Sequence, residues 1–355
     1  MTSRERVVRC LTFTTPDRPP RELWALPWFA SRYPSQMEAL HKNYPSDFGG
    51  APWVGRPSTR SQGNAYAVGS SVDDWGCVRE NIHAGVIGEI KNPMLTDLAE
   101  YDRVIQPPYE TLPENVDAAR DTVNRALGAP GGHDRYVRAP ACLNPWERYQ
   151  YLRGTVDAMC DVMNPDDPLL RAAFKKIHGF FMTDAEFWAS TDVDALFIMD
   201  DWGSQNQLLI PPSAWREIFK PMYRDLCDLA RANGKHVFMH SDGFIEEIYP
   251  DLIEIGVTAL NSQLFCMDVN RLAAHKGKIT FWGELDRQHL LTSGDPAVIR
   301  AGVRHVADAL YDPRGGVIAQ FELGPGSHPD AGFHAYQAWD EITTEHRHSC
   351  LCPVS

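Results

Sequence analysis

The chain has 355 residues, 43% of them hydrophobic, with 34 basic against 47 acidic side chains and a formal net charge of −13. That is enough for one large α/β domain or two small ones with a sizeable core, and it excludes global disorder. The acidic balance argues against a nucleic-acid-binding surface or an anionic-membrane partner. No apolar run is long enough to span a bilayer and the amino terminus does not read as a signal peptide, so a soluble, cytoplasmic protein is expected.

In chain order, Arg4 to Thr12 reads as a short helix and Glu22 to Leu26 as a first strand. Tyr33 to about Pro113 is irregular and rich in Pro, Gly and aromatics, with a hairpin-like strand at Asn64 to Val72 followed by the Asp73-Asp-Trp75-Gly-Cys turn. Residues 20–113 therefore read as an elaborated lid on a single domain of residues 1–345, because no linker-like tract bounds them. Pro113 to Leu127 is helical, Tyr136 to Ala139 a strand, and Pro145 to Met163 an amphipathic helix opened by Asn144. A helix at Asp167 to Ser190 precedes a buried strand at Ala195 to Met199, and a long helix at Pro212 to Asn233 is closed by Gly234. His236 to Met239 is the central strand, followed by a helix at Phe244 to Ile255. Strands at Val257 to Leu260, Lys278 to Trp282 and Val317 to Phe321 complete the series, with a helix at Pro296 to Leu310. Residues 346–355 form a His/Cys-containing tail without helical or strand pattern, and the remaining cysteines read as reduced core residues.

Polar residues recur where the strands stop: Asp200 and Asp201, His240 and Asp242, Asn261 and Gln263, Glu284 and Asp286, then Glu322 and His328. Buried strands alternating with amphipathic helices argue for a parallel sheet covered by helices. Strand ends that share one polar character fit a closed barrel, which gathers them around one mouth, better than an open sheet. The expected fold is a (β/α)8 TIM barrel of the α/β class.

As a set, Asp200-Asp-Trp-Gly, the run Lys235 to Gly243, Gly283-Glu-Leu-Asp286 and Gly324-Pro-Gly-Ser-His328 resemble the uroporphyrinogen decarboxylase superfamily over nearly the whole chain. The opening Ser3-Arg-Glu-Arg-Val and Pro16-Asp-Arg-Pro-Pro are similar to it as well. The resemblance implies the barrel fold and divides by chemistry. True decarboxylases carry an arginine-rich Met-Arg-Gln-Ala-Gly-Arg segment near the first strand, whereas this chain has Leu23 to Tyr33, apolar apart from Arg32. A substrate with many carboxylates wants several cations, so the resemblance leans toward the cobamide-dependent methyltransferase-like members. Those bind zinc through His-x-Cys at the central strand and a later Cys. Here His240 matches, Asp242 replaces the first cysteine, and the second falls near Ser327 or His328.

The resemblance makes His240, Asp242, Glu322 and His328 candidate ligands of zinc or another divalent ion, in a harder N/O site than one built on thiolates. The plainer reading is that Asp242 caps the next helix and His240 is a hydrogen-bonded pocket residue. Asp200 and Asp201 are acid/base candidates, although neighbours in a strand face opposite ways and at most one enters the mouth. Glu284 joins the catalytic candidates, while Asp286 reads as a cap. Trp24, Trp28, Trp75 and Trp202 with Asn261 and Gln263 are candidates for binding a small-molecule substrate; Trp53 reads as core packing. Gly128-Ala-Pro-Gly-Gly lacks the following Lys-Ser/Thr of a phosphate loop, and no Gly-x-Ser-x-Gly elbow is present.

The expected function is transfer of a methyl group between a small substrate and a corrinoid protein or thiol, with metal assistance. The alternatives are a metal-independent decarboxylase using Arg32 or Arg56 to hold a carboxylate, and a non-catalytic ligand-binding barrel. Oligomeric state is not legible from the sequence.

Overall fold

A computed structural model describes residues 1–351 of the chain. Eight strands make the principal sheet: β1 (Arg21–Ala25), β2 (Phe48–Gly50), β3 (Tyr136–Leu143), β4 (Ala195–Met199), β5 (His236–Ser241), β6 (Ala259–Ser262), β7 (Thr280–Trp282) and β8 (Val317–Leu323). With helices between them, this is a (β/α)8 barrel, as the strand–helix alternation predicts.

The chain divides into two compact units. The first comprises Met1–Gly49, His133–Tyr136 and Thr258–Ser355. In it β1 pairs with β8, β8 with β7 and β7 with β6, all parallel. Leu260, Phe281, Ile318 and Phe321 are buried there. The second comprises Gly50–Gly132 and Val137–Val257. Here β3, β4 and β5 pair in parallel, with Ala195 opposite His236 and Met199 opposite His240. The helices Pro168–Ala189 and Pro212–Ala232 supply Phe174, Ile177, Trp215 and Phe219 to its core. Asp167 caps the first of these by accepting from the Leu169 and Leu170 amides.

Several elements differ from the sequence reading. The helix expected over Pro145 to Met163 is two, Pro145–Arg153 and Thr155–Asp161, broken at Gly154, whose φ of 88° no helix accommodates. The helix expected from Phe244 begins as a 3-10 turn and becomes α only over Tyr249–Ile255, because Gly243 sits at φ +76° and sends the chain away first. β6 lies two residues later than expected, which puts Asn261 inside a strand. The stretch read as irregular contains a helix, Pro34–Asn43, and an antiparallel sheet of Gly69–Val72, Val78–Asn81 and Glu89–Ile90. A helix runs from Ala331 through Leu351, so the unpatterned tail is helical over most of its length. Its Cys350 and Cys352 side chains lie outside the described residues.

Six described cysteines are free thiols, four of them buried. Trp53 is 70% exposed instead of packed. Among the described residues, no helix is long and apolar enough to cross a membrane.

Candidate functional site

In the second unit, β4 and β5 lie side by side, and polar residues stand just beyond the ends of both. Adjacent residues leave a strand in opposite directions, so Asp200 and Asp201 have separate surroundings. Asp200 is fully buried. Its carboxylate accepts from the backbone amides of Trp146 at 3.0 Å and Glu147 at 2.8 Å and from the Tyr223 hydroxyl at 2.6 Å. It thereby caps the helix Pro145–Arg153, whose own preceding residue, Asn144, makes no side-chain capping bond. Burial first, then the nearby Glu147 charge, push the Asp200 carboxyl up, while the three donors act the other way.

Asp201 turns to β5. Its Oδ1 accepts from the Asp242 amide at 2.8 Å and lies 3.4 Å from His240 Nε2. Asp242 Oδ1 is 3.7 Å from the same nitrogen. His240 is buried, whereas the carboxylates are about one-third exposed (37% and 32%), so the group opens on its acidic side. One ligand atom from each of Asp201, His240 and Asp242 lies within 4.8 Å of the others. One imidazole and two carboxylates suit a divalent ion of borderline or hard character, and they leave coordination positions open.

Backbone contact between the two loops sets this spacing. The Gly203 amide donates to Asp242 O at 3.0 Å and the Phe244 amide to Ser204 O at 2.8 Å, while the Trp202 amide donates to Ser241 Oγ at 3.0 Å. A Cβ on Gly203 would lie 2.3 Å from the Phe244 nitrogen, and one on Gly243 would lie 2.3 Å from the Gly203 carbonyl carbon. Both positions require glycine for close approach, and Gly243 also for its positive φ. Gly243→Ala is expected to push the loops apart and cost at least about 3 kcal/mol, read from urea unfolding. A loss below about 1 kcal/mol would show that the loops are not held by this contact.

Glu147 completes the cluster, and no sequence pattern marks it as a site residue. It sits in the first turn of the helix that Asp200 caps, and its Oε1 accepts from the Tyr151 hydroxyl at 2.6 Å. Burial and then the Asp201 charge push its carboxyl up to about 7, against the opposing effects of Tyr151, His240 and Arg148. The one hint is position: like the other strand-end acids, it lies a few residues beyond a strand, here β3.

This shift has a definite sign. A carboxyl whose folded pKa lies above its unfolded value of 4.5 contributes most to stability below 4.5 and loses that contribution as pH rises through about 7. Glu147→Gln keeps an acceptor for Tyr151 and removes the charge. In the presence of a chelator it is expected to be more stable than wild type at pH 8.5, by up to about 3 kcal/mol, with the advantage vanishing near pH 4. Urea midpoints at the two pH values check this, and a pH-independent difference would contradict it.

In the first unit the sequence candidates form a different cluster. Glu284 is buried just beyond β7, its Oε1 3.6 Å from Arg287 Nη1. The same nitrogen donates to Glu322 Oε1 at 2.6 Å, so Glu322 is engaged with arginine rather than with an imidazole. His328 Nδ1 accepts from the Asp330 amide at 3.3 Å, and its ring packs by Gly294. Neither Glu322 nor His328 is in the group formed by Asp201, His240 and Asp242. Asp286 accepts from the Gln288 and His289 amides, as a cap does. Asn261 is buried, its amide donating to Trp282 O and to Gln320 Oε1 at 2.8 Å, which ties β6 to β7 and β8. Gln263 accepts from Cys266 Sγ at 3.3 Å.

The tryptophans disperse. Trp24 is half-buried, edge-on to Trp282 at 5.2 Å, and Trp28 lies under the Arg32 guanidinium at 4.4 Å. Trp202 is fully buried, stacked on Trp146 at 5.3 Å and donating to the Tyr223 hydroxyl, so it supports the Asp200 cap and presents no face to a ligand. Trp75 packs edge-on against Phe180 at 5.3 Å and beside Phe181. Arg56 donates to Leu112 O and lies 3.6 Å from Glu114.

No curated protein matches the sequence. Among solved structures the chain is similar to a methyltransferase from Methanosarcina mazei, at 14% identity and a TM-score of 0.68, over 96% of this chain and 99% of that one. That likeness supports the barrel fold. A GH113 β-1,4-mannanase is more distant, at 10% identity and a TM-score of 0.41, over 91% of this chain and 98% of that one. The family model described as uroporphyrinogen decarboxylase (URO-D) matches residues 77–346, a span that includes Glu147, Asp201, His240 and Asp242. The chain belongs to the uroporphyrinogen decarboxylase (URO-D) family.

Proposed function

We propose that the protein is a metal-assisted methyltransferase, moving a methyl group between a small substrate and a corrinoid protein or thiol. The observation that carries the reading is the convergence of Asp201, His240 and Asp242, with Glu147 beside them, at the ends of adjacent strands. The structural likeness to a methyltransferase supports the same reading.

His240 would supply an imidazole ligand from a buried position, and Asp201 and Asp242 would supply the oxygens. A divalent ion held there, zinc among the candidates, would polarise the oxygen, nitrogen or sulfur that bears the methyl group. When the methyl group departs as a cation equivalent, the electron pair of the broken bond stays on that heteroatom, which then needs a proton. Glu147, the buried acid beside Asp201, would give it and take one back in the reverse direction. The carboxylate at Asp242, where the methyltransferases it resembles carry cysteine, makes the ligand set harder and favours oxygen- or nitrogen-bound methyl groups over thiols.

The test is single-turnover methyl transfer with zinc-loaded protein, monitored by the absorbance change between methylated and reduced corrinoid. Methoxyl, methylamine and thiol substrates are offered in turn. Transfer with at least one, slowed at least about 100-fold in Glu147→Gln, is expected. No transfer with any of them would sink the proposal. Carbon dioxide release from a candidate acid that survives chelation would favour decarboxylation instead.

A further inference from the structure

A cavity of about 480 Å³ lies wholly among residues of the second unit. It is bounded by the segment around Trp53 to Ser61, by the helix Pro168–Ala189, and by the turn that carries Asp74 and Trp75. None of the ligand-like group Asp201, His240 and Asp242 lines it. Its size falls in the range of sites that enclose small molecules.

The walls are aromatic on several sides: Trp75, Phe181, Phe187 and Trp188 all contribute. Two carboxylates line it as well, Asp74 and Asp184. Two arginines line it too, each with a partner of its own. Arg148 Nη1 donates to Asp73 at 2.7 Å, with its guanidinium over the Trp75 ring at 5.0 Å. Arg56 is held by Leu112 O and lies near Glu114. The Trp188 side chain lies near enough to Asp184 to act on its carboxyl, and no lysine, arginine or histidine among the described residues pairs with it. Burial pushes its carboxyl up to about 6, and burial also raises Asp74.

A carboxylate within aromatic walls and without a protein cation is matched by a cation whose charge is spread over alkyl groups, since ring faces attract it and little hydration is lost. Asp184, which no protein cation neutralises, disfavours an anion beside it. A bare divalent ion finds no converging ligand set, because the one such group among the described residues is at Asp201, His240 and Asp242. We propose that this cavity binds an alkylated ammonium compound, with Asp184 as its counter-ion and the Trp75 and Phe181 rings against its alkyl groups. This site is separate from the methyl-transfer reading and does not depend on it.

The probe is choline, titrated calorimetrically into the full-length protein with a chelator present, beside its neutral isostere 3,3-dimethylbutan-1-ol. Choline is expected to bind with millimolar or better affinity and the neutral isostere at least about tenfold more weakly. Asp184→Asn should weaken choline at least about tenfold while melting as cooperatively as wild type. Phe181→Leu, which keeps the wall apolar but removes a ring face, should weaken it severalfold and serves if the first variant does not fold. Equal affinity for choline and the isostere, an unchanged Asp184→Asn, or no heat from choline would each overturn the proposal. Because metal is absent throughout, failure here leaves the methyl-transfer reading untouched, and failure of methyl transfer leaves this one untouched.

Discussion

Replacing His240 with alanine is expected to take the divalent-ion content of the tag-free protein from about one per chain to background, with affinity falling by two orders of magnitude or more. His240 is the one nitrogen donor in the group and its buried member, so it fixes the position to which the two partly exposed carboxylates respond. Without it, Asp201 and Asp242 remain as two half-solvated acids, a weak and unselective pair. Asp201→Asn and Asp242→Asn each keep an amide oxygen at the ligand position and should lose less. Metal analysis by plasma mass spectrometry after incubation with zinc or manganese, followed by competition titration, measures both effects. A wild-type protein that retains no ion, or a His240→Ala variant that retains as much as wild type, would remove the metal from the mechanism. Glu147 and Asp201 would then stand as a plain acid/base pair.

The second large effect concerns stability. Asp200→Ala is expected to cost about 3–5 kcal/mol and to lower the melting temperature by roughly 5–10 °C. The substitution leaves the Trp146 and Glu147 amides and the Tyr223 hydroxyl facing an empty buried site, and it uncaps the helix that carries Glu147. Asp200→Asn should fare little better, since its amide nitrogen would meet donors with a donor. Tyr223→Phe removes one of the three bonds to Asp200 and also leaves the buried Trp202 indole N–H without its acceptor, so it should cost about 2 kcal/mol. Denaturant unfolding of the three variants separates these cases. An Asp200→Ala protein within about 1 kcal/mol of wild type would show that Asp200 is not the cap that holds this helix.

The contrast between Asp200 and Asp201 shows where sequence reasoning stops. The alternation rule requires that neighbouring strand residues diverge, and they do. Which of the two meets His240 depends on β5 lying beside β4 with Met199 opposite His240. Asp200 is drawn away by the amide of Trp146, 54 residues earlier in the chain, a partner no local pattern specifies. Glu147 is illegible in the sequence for the same reason. It is one acid in the first turn of an amphipathic helix, a common position, and only the capped helix brings it to Asp201. Trp202 is one of the aromatic set expected to bind a substrate, but its bulk is more stable stacked on Trp146 away from water.

Hydrophobic runs, proline and glycine stops and capping residues determined seven of the eight strands of the principal sheet, the long helices between them and the (β/α)8 class, because those signals act within a dozen residues. The same local signals placed His240 and Asp242 on one side of a strand end, and the motif set indicated the family. The tertiary structure alone decided which acids share a site. It sent Asp200 to a helix cap, Asp201 and Glu147 to His240, and Glu322 to Arg287. It also closed the loops at Gly203 and Gly243 and enclosed Asp184 among aromatic rings. Charge pairing, desolvation and close backbone approach depend on distances between segments far apart in the chain, and those distances exist only once the strands have paired.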